Sequence, residues 1–432
     1  MKVLVVGGGG REHALAWKLA QSERAEKVFV APGNAGTAKE AGIENVPIDP
    51  MDIPGLVRFA GDRGVGLTIV GPEAPLCDGI VDAFEAARLR CFGPRKSAAC
   101  LEASKAFAKD FMIRHRIPTA RHKVFSRLDE AVVYLGQERT PIVVKASGLA
   151  AGKGVVIALD DKQAIAAVES MLAGEAFGEA GREVVIEEYL HGEEASFTAV
   201  SDGQHILALA SSQDHKARDD GDSGPNTGGM GAYSPAPVVT STVHARIMEE
   251  IVIPAIRGMA QEHRPYTGFL YAGLMIRPDG APLVLEFNCR LGDPETQPLM
   301  LRLRSDLIEL CEATLSGALH RFRAEWDPRP ALGVVLAAAG YPGNYRKGDR
   351  IFGLKERDDD VIKVFHAGTA IKGNEILTAG GRVLCVCALG ESITDAKQRA
   401  YQRTDSIHWD GMYYRRDIGH RAVARVGSIA GR

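Results

Sequence analysis

The stretch Pro141-Ile142-Val143-Val144-Lys145-Ala146-Ser147-Gly148-Leu149-Ala150-Ala151-Gly152-Lys153-Gly154-Val155 decides how the rest of the chain is read. An apolar run ends on a lysine, a glycine-rich turn follows, and a second apolar run begins at Val155. The turn is not a P-loop: only three residues separate Gly148 from Gly152-Lys153, and no Ser or Thr follows. Two strands joined this way can instead close over a polyphosphate, with glycine N–H groups and the strand-end Lys145 facing it. Taken alone, the stretch also fits a hairpin turn with a solvated lysine at its edge.

Further along, Leu285-Glu286-Phe287-Asn288-Cys289-Arg290 alternates polar and apolar. As a strand it sends Glu286, Asn288 and Arg290 to one face and Leu285 and Phe287 to the other. A carboxylate and an amide two residues apart are hard oxygen donors suited to Mg²⁺, which keeps several positions for waters and phosphate oxygens. A polar solvent-facing strand is the plainer alternative. Two more carboxylates, Asp293 and Glu295, open the following turn. Between the two motifs, Glu187-Glu188-Tyr189-Leu190-His191-Gly192-Glu193-Glu194 reads as a strand end and acidic turn, where backbone groups can meet an adenine edge and a carboxylate can take ribose hydroxyls. Without its context it is an acidic turn only.

Upstream, Gly7-Gly8-Gly9-Gly10-Arg11-Glu12-His13 lies between an apolar strand and a helix, so its N–H groups can face an anion. It is not a dinucleotide fingerprint. Glu12 or His13 falls where the third glycine belongs, and the second strand runs from Val30 into Ala31-Pro32-Gly33 with no acidic residue for a ribose. A tight strand-to-helix turn without a ligand is the other reading.

Length and composition set the frame. At 432 residues the chain has room for about three domains. Hydrophobic residues at 45% and charged residues at 25% exclude a disordered or fibrous chain. A net charge of −3 without a basic run gives no footprint for nucleic acid or an anionic membrane, so the expected partners are small molecules. Seven cysteines at 77, 91, 100, 289, 311, 385 and 387 form no CxxC pair, which argues against a disulfide framework and a zinc site. Reduced thiols, no signal peptide and no apolar run near 20 residues point to a cytoplasmic protein.

Strands at 2–6, 28–30 and 67–70 with helices at 11–21 and 78–90 predict an open parallel α/β sheet ending near Gly93-Pro94. Next come a helical stretch over 97–115, strands at 141–145, 155–158 and 184–188, and a helix at 162–172, which together make a small α+β subdomain. A long Gly/Ser/Asp loop is expected over 211–237, with helices at 242–262 and 297–315. After a linker at 326–330, strands at 332–338 and 382–389 and a helix at 392–407 predict a compact C-terminal domain.

A strand-end lysine, a glycine-rich hairpin, an acidic hinge and a Glu-x-Asn strand in this order resemble the ATP-grasp carboxylate-amine ligases, and within them the phosphoribosylamine–glycine ligase family. The strings GGGGREHALAW (7–17), APGNAGT (31–37), TIVGPEAPL (68–76), GLAAGKGV (148–155), SQDHK (212–216), GPNTGGMGAYSPAP (224–237), TGFLYAGLM (267–275) and EFNCRLGDPETQ (286–297) carry the resemblance across essentially the whole chain. One departure is visible, Ser147 where the family usually has Asp.

The resemblance implies an N-terminal α/β substrate-binding domain over 1–103, a two-part ATP-grasp domain over 104–325 with its lid at 118–194, and a C-terminal α+β domain over 326–432. It implies a monomer that joins glycine to 5-phosphoribosylamine through glycyl phosphate, with ATP and Mg²⁺ or Mn²⁺. Lys105, Lys145, Gly148, Gly152 and Gly154 are then expected at the phosphates, Glu187 and Leu190 at the adenine edge, Glu194 at the ribose, and Glu286 and Asn288 at the metal. Asp214, Lys216, Arg290, Asp293 and Glu295 are expected at the glycine and the phosphoribosylamine, with Asp214 and Arg290 as the pair for glycine's two ends and Lys145 completing the catalytic set. Gly9, Gly10 and Arg11 are candidates for the ribose phosphate. The competing readings are a ligase of the same fold using another acid, a nucleotide-binding regulatory module without turnover, and a dehydrogenase. Intact Lys145, Glu286 and Asn288 count against the regulatory module.

Overall fold

The computed structural model describes residues 1–150, 154–173, 178–354 and 359–430. At the N-terminus, five parallel strands lie in the order Ile43–Asn45, Lys27–Pro32, Lys2–Gly7, Val65–Val70, Cys91–Phe92. The central strand explains the order. Val3, Leu4, Val5 and Val6 are all fully buried, as expected for a parallel strand covered on both faces. Helix Gly10–Ala20 follows that strand directly, which places the glycine loop at the carboxyl edge of the sheet.

A second sheet is antiparallel, with strands His122–Phe125, Val184–Glu188, Ile142–Ala146 and Val155–Ala158. Helices Leu128–Leu135 and Asp161–Leu172 contribute Ala131, Leu135, Ala164, Val168 and Met171 to its separate small core. The third sheet orders Ile206–Ala208, Glu193–Asp202, Thr267–Ile276 and Pro282–Asn288, also antiparallel. The two antiparallel sheets face one cleft.

The fourth sheet departs from the sequence reading. It runs Gln213–Asp214, Gly231–Ser234, Ala331–Ala337, Arg382–Leu389, Ile362–His366. The segment expected as one long loop therefore supplies two strands to the sheet of the C-terminal portion, with Tyr233 opposite Leu332 and Ala232 opposite Gly333. Its polar, glycine-rich composition hid this, because the ladder partners of Gly231–Ser234 lie about a hundred residues away.

Three expected helices are interrupted. The stretch read as 78–90 divides at Gly79, whose φ of 96° suits glycine. The stretch 97–115 divides at Ser104, whose hydroxyl accepts Phe107 N–H at 3.1 Å. The stretch 297–315 divides before Asp306, whose carboxylate accepts Ile308 N–H at 2.7 Å. The helix expected over 242–262 is continuous in direction but carries a π turn at Met248–Val252. No helix among the described residues is long and apolar enough to cross a membrane.

Candidate active site

Lys145 is the penultimate residue of strand Ile142–Ala146, opposite Val155 on one side and Val185 on the other. Its ammonium contacts Glu187 Oε2 at 3.0 Å and donates to the Leu285 carbonyl at 3.1 Å. That carbonyl is available because the ladder shifts there: Gly273 faces Glu286 but Leu274 faces Val284, leaving Leu285 as the extra residue of a bulge. Lys105 opens helix Lys105–Arg114, and its Nζ donates to the Gly148 carbonyl at 3.3 Å. Ser147 stands beside Ser104 at that helix start, its hydroxyl accepting Ala106 N–H at 3.1 Å, so the departure from the usual Asp still provides a cap.

One cleft of about 460 Å³ is lined by Arg11, Lys105, Lys145, Gly154, Glu187, Leu190, Glu194, Asp214, Lys216, Glu286, Asn288, Arg290, Asp293 and Glu295. Gly148 lies just behind it, with its N–H already given to the Ala180 carbonyl at 3.0 Å. Gly152 lies outside the described residues. Gly9 and Gly10 are beside the cleft rather than in its lining. Glu12 takes the anion position at that helix start, accepting Gly9 N–H at 2.6 Å, and a Cβ on Gly10 would stand 2.5 Å from Gln297 Nε2. Strand Pro282–Asn288 stops before Arg290, so simple alternation does not set the Arg290 direction. Leu285 and Phe287 line the cleft together with Glu286 and Asn288.

Asp214 and Lys216, two residues apart, both line the cleft, and Lys216 Nζ stands 3.7 Å from Glu286 Oε1. Burial pushes Glu286 upward, but Lys216, Lys105, Lys145 and Arg290 outweigh it and hold the carboxyl at about 2. Burial drives Asp214 the other way, to about 7, against the pull of Lys216 and with Glu295, Glu194 and Glu286 adding to the rise. Glu295 accepts the Ser196 hydroxyl at 2.9 Å, and Ser196 Oγ lies 2.9 Å from the Tyr271 hydroxyl. Glu286 and Asn288 thus offer hard oxygens, one of them permanently ionised. Among the described residues no group of three His, Cys, Asp or Glu is arranged to hold a metal alone. The donor set fits a Mg²⁺-like ion that completes its shell with phosphate and water oxygens.

Arg290 and Asp214 share the cleft, but the Arg290 fork is already engaged. Its Nε donates to Glu73 Oε2 at 3.0 Å, its Nη2 lies 2.9 Å from Glu102 Oε1, and its Nη1 donates to the Leu291 carbonyl at 3.2 Å. A ligand carboxylate would have to share or displace one of these partners. Asp293 accepts Gln297 Nε2 at 2.9 Å and faces Arg382 Nη2 at 3.5 Å. Arg382 also donates to the carbonyls of Gly228 at 2.5 Å and Asp293 at 2.6 Å. Glu73, Glu102, Lys109, Tyr271 and Arg382 line the cleft without having been foreseen. Lys109 had a signal, lying four residues after Lys105 and therefore on the same helix face. Arg382 had none, because it reaches the cleft from the C-terminal sheet.

Residues 1–102 match the N domain of phosphoribosylglycinamide synthetase, residues 103–296 its ATP-grasp (A) domain and residues 331–421 its C domain. The chain belongs to the phosphoribosylglycinamide synthetase family. The enzyme is 64% identical over 428 residues to the phosphoribosylamine–glycine ligase of Allochromatium vinosum, covering 99% of this chain and 100% of that one. It is 60% identical to the Pseudomonas aeruginosa phosphoribosylamine–glycine ligase over 98% and 99% of the two chains. A crystal structure of phosphoribosylamine–glycine ligase from Thermotoga maritima superposes with a TM-score of 0.83 at 35% identity, over 97% of this synthetase-family chain and all of that one. A biotin carboxylase–ATP-analogue complex from Campylobacter jejuni shares the fold alone, with a TM-score of 0.74 at 15% identity over 96% and 92%.

Beside Asp214, His215 is buried with Nε2 accepting Gly419 N–H at 3.2 Å and Nδ1 3.3 Å from the Gly231 carbonyl. Burial, with Arg415 adding, lowers its imidazole to about 3. In the unfolded chain it takes a proton below about 6.5, so its contribution to stability is complete above that pH and is lost as pH falls toward 3. The raised Asp214 works in the opposite sense over about 3.8 to 7. The test therefore compares two proteins: subtracting the denaturation free energy of His215→Gln from that of wild type should give a difference that shrinks as pH drops from 6.5 to 3. A pH-independent difference would contradict this.

Proposed function

We propose that the enzyme joins glycine to 5-phosphoribosylamine at the expense of ATP, through glycyl phosphate, giving glycinamide ribonucleotide, ADP and phosphate in de novo purine synthesis. A carboxylate is a poor acyl donor because its oxide leaves badly, so it is first phosphorylated and then shielded from water until the amine arrives. The observation that carries this reading is a single cleft in which Lys105 and Lys145 stand with the Glu286 and Asn288 oxygens and the Asp214–Lys216 edge.

In this reading Lys105 and Lys145 offset the charge that builds on the transferring phosphoryl group, with Gly148, Gly152 and Gly154 serving the phosphates. Glu187 and Leu190 meet the adenine edge, and Glu194 meets the ribose. Glu286 and Asn288 would hold Mg²⁺ or Mn²⁺, which would supply neutralisation of phosphate charge. Asp214, Lys216 and Glu295 serve glycine and the amine. Asp214 and Arg290 take glycine's two ends, Asp293 and Arg11 border the phosphoribosylamine, and Gly9 and Gly10 shape the adjoining loop. Holding two substrates and ATP in one orientation is worth several kcal/mol. The working units are 1–103, 104–325 with a lid at 118–194, and 326–432, acting as a cytoplasmic monomer. The test is ADP release by the purified protein. The reading requires ATP, glycine and freshly made phosphoribosylamine together, and it fails if another acid replaces glycine at equal rate.

A further inference from the structure

Lys109 has no part in the reading above, yet it is one of the most deeply buried charges in the molecule, with a side chain 2% exposed. Its Nζ lies 3.0 Å from Glu187 Oε2, the same oxygen that Lys145 contacts at 3.0 Å. Glu187 is 2% exposed, and its other oxygen, Oε1, has no hydrogen-bond partner among the described residues. Lys109 also donates to Thr119 Oγ1 at 2.7 Å, and the Thr119 hydroxyl donates to the Val284 carbonyl at 2.6 Å. Val284 is the residue before the bulge whose carbonyl receives Lys145. Helix Lys105–Arg114, strand Val184–Glu188 and strand Pro282–Asn288 are thereby tied at one point.

We propose that Lys109 is a positioning residue that keeps Glu187 neutralised, so that Lys145 is free to engage the phosphates of the nucleotide. A buried carboxylate must have a counter-charge. If Lys145 were the sole partner of Glu187, its move toward a phosphate would strand that carboxylate in a dry site. With two lysines on one oxygen, one can leave and the other remains. Removing Lys109 then leaves Glu187 holding Lys145, and the loss falls on the nucleotide rather than on glycine.

The inference rests on the ATP reading above, and the experiment separates the two. A nonhydrolysable ATP analogue is titrated calorimetrically into wild type, Lys109→Met, Lys109→Arg, Glu187→Gln and Lys109→Met/Glu187→Gln, with glycine KM measured alongside. Lys109→Met keeps the stem and should weaken nucleotide binding at least about tenfold with glycine KM unchanged, while Lys109→Arg stays near wild type. Replacing Glu187 removes the competing anion, so the double variant should bind within about threefold of Glu187→Gln alone. The double variant removes one charge of each sign and leaves Lys145 on the Leu285 carbonyl in the field of Glu286, so it tests the point even if Lys109→Met does not fold. Unchanged binding in Lys109→Met, equal losses for ATP and glycine, or a double variant tenfold weaker than Glu187→Gln would each overturn the proposal. A wild-type protein that does not bind the analogue would overturn this and the ATP reading together.

Discussion

Glu286→Ala should lower ligation by on the order of a thousandfold while the protein stays folded. Losing one electrostatic partner of a transition-state charge costs roughly 10²–10³ in turnover, and Glu286 is both an ionised oxygen donor of the cleft and the shared counter-charge of Lys216, Lys105 and Lys145. Its side chain is one-third exposed at 33%, so its removal empties no core and leaves water to solvate the lysines. ADP release at saturating metal reads the activity, and circular dichroism reads the fold. Turnover within tenfold of wild type would remove Glu286 from the reacting centre.

Arg290→Met should destabilise the protein by about 3–5 kcal/mol, the usual cost of stripping one partner from a buried ion cluster. Glu102 is 6% and Glu73 28% exposed on their side chains, and both depend on the same guanidinium. Burial pushes Glu102 upward against the pull of Arg290. Arg290→Lys keeps one charge but loses the planar fork. It should lose less stability and still raise glycine KM, with ATP affinity little changed. Urea denaturation and glycine kinetics check both variants. A loss below about 1 kcal/mol for Arg290→Met would mean that the two carboxylates have other partners.

The parts of this architecture legible in the sequence are those fixed by local pattern. Val3 to Val6 with the glycines behind them, the lysine-ended strand and the Glu-x-Asn strand depend on neighbours only a few residues away. The N-caps at Ser104 and Asp306 were equally local and could have been read as helix breaks. The strand Gly231–Ser234 could not, because its place in the sheet is decided by Ala331–Ala337 across a long separation. Similarly, the charges around Arg290 come from Glu73 and Glu102, far apart in sequence, and Arg382 arrives from a strand whose pattern shows only burial. Candidate side chains were therefore easier to find than the partners that orient them.

The central claim is that glycine, and not the sugar, is activated. Glycine labelled with ¹⁸O in both carboxylate oxygens would give one oxygen to the γ-phosphoryl group as glycyl phosphate forms. When the amine attacks the carbonyl carbon, the C–O bond to that oxygen breaks and the labelled oxygen leaves with phosphate. The account predicts one ¹⁸O in the released inorganic phosphate and one in the amide of the product, measured by mass spectrometry after a single turnover. Unlabelled phosphate, with the second label released to water instead, would contradict it.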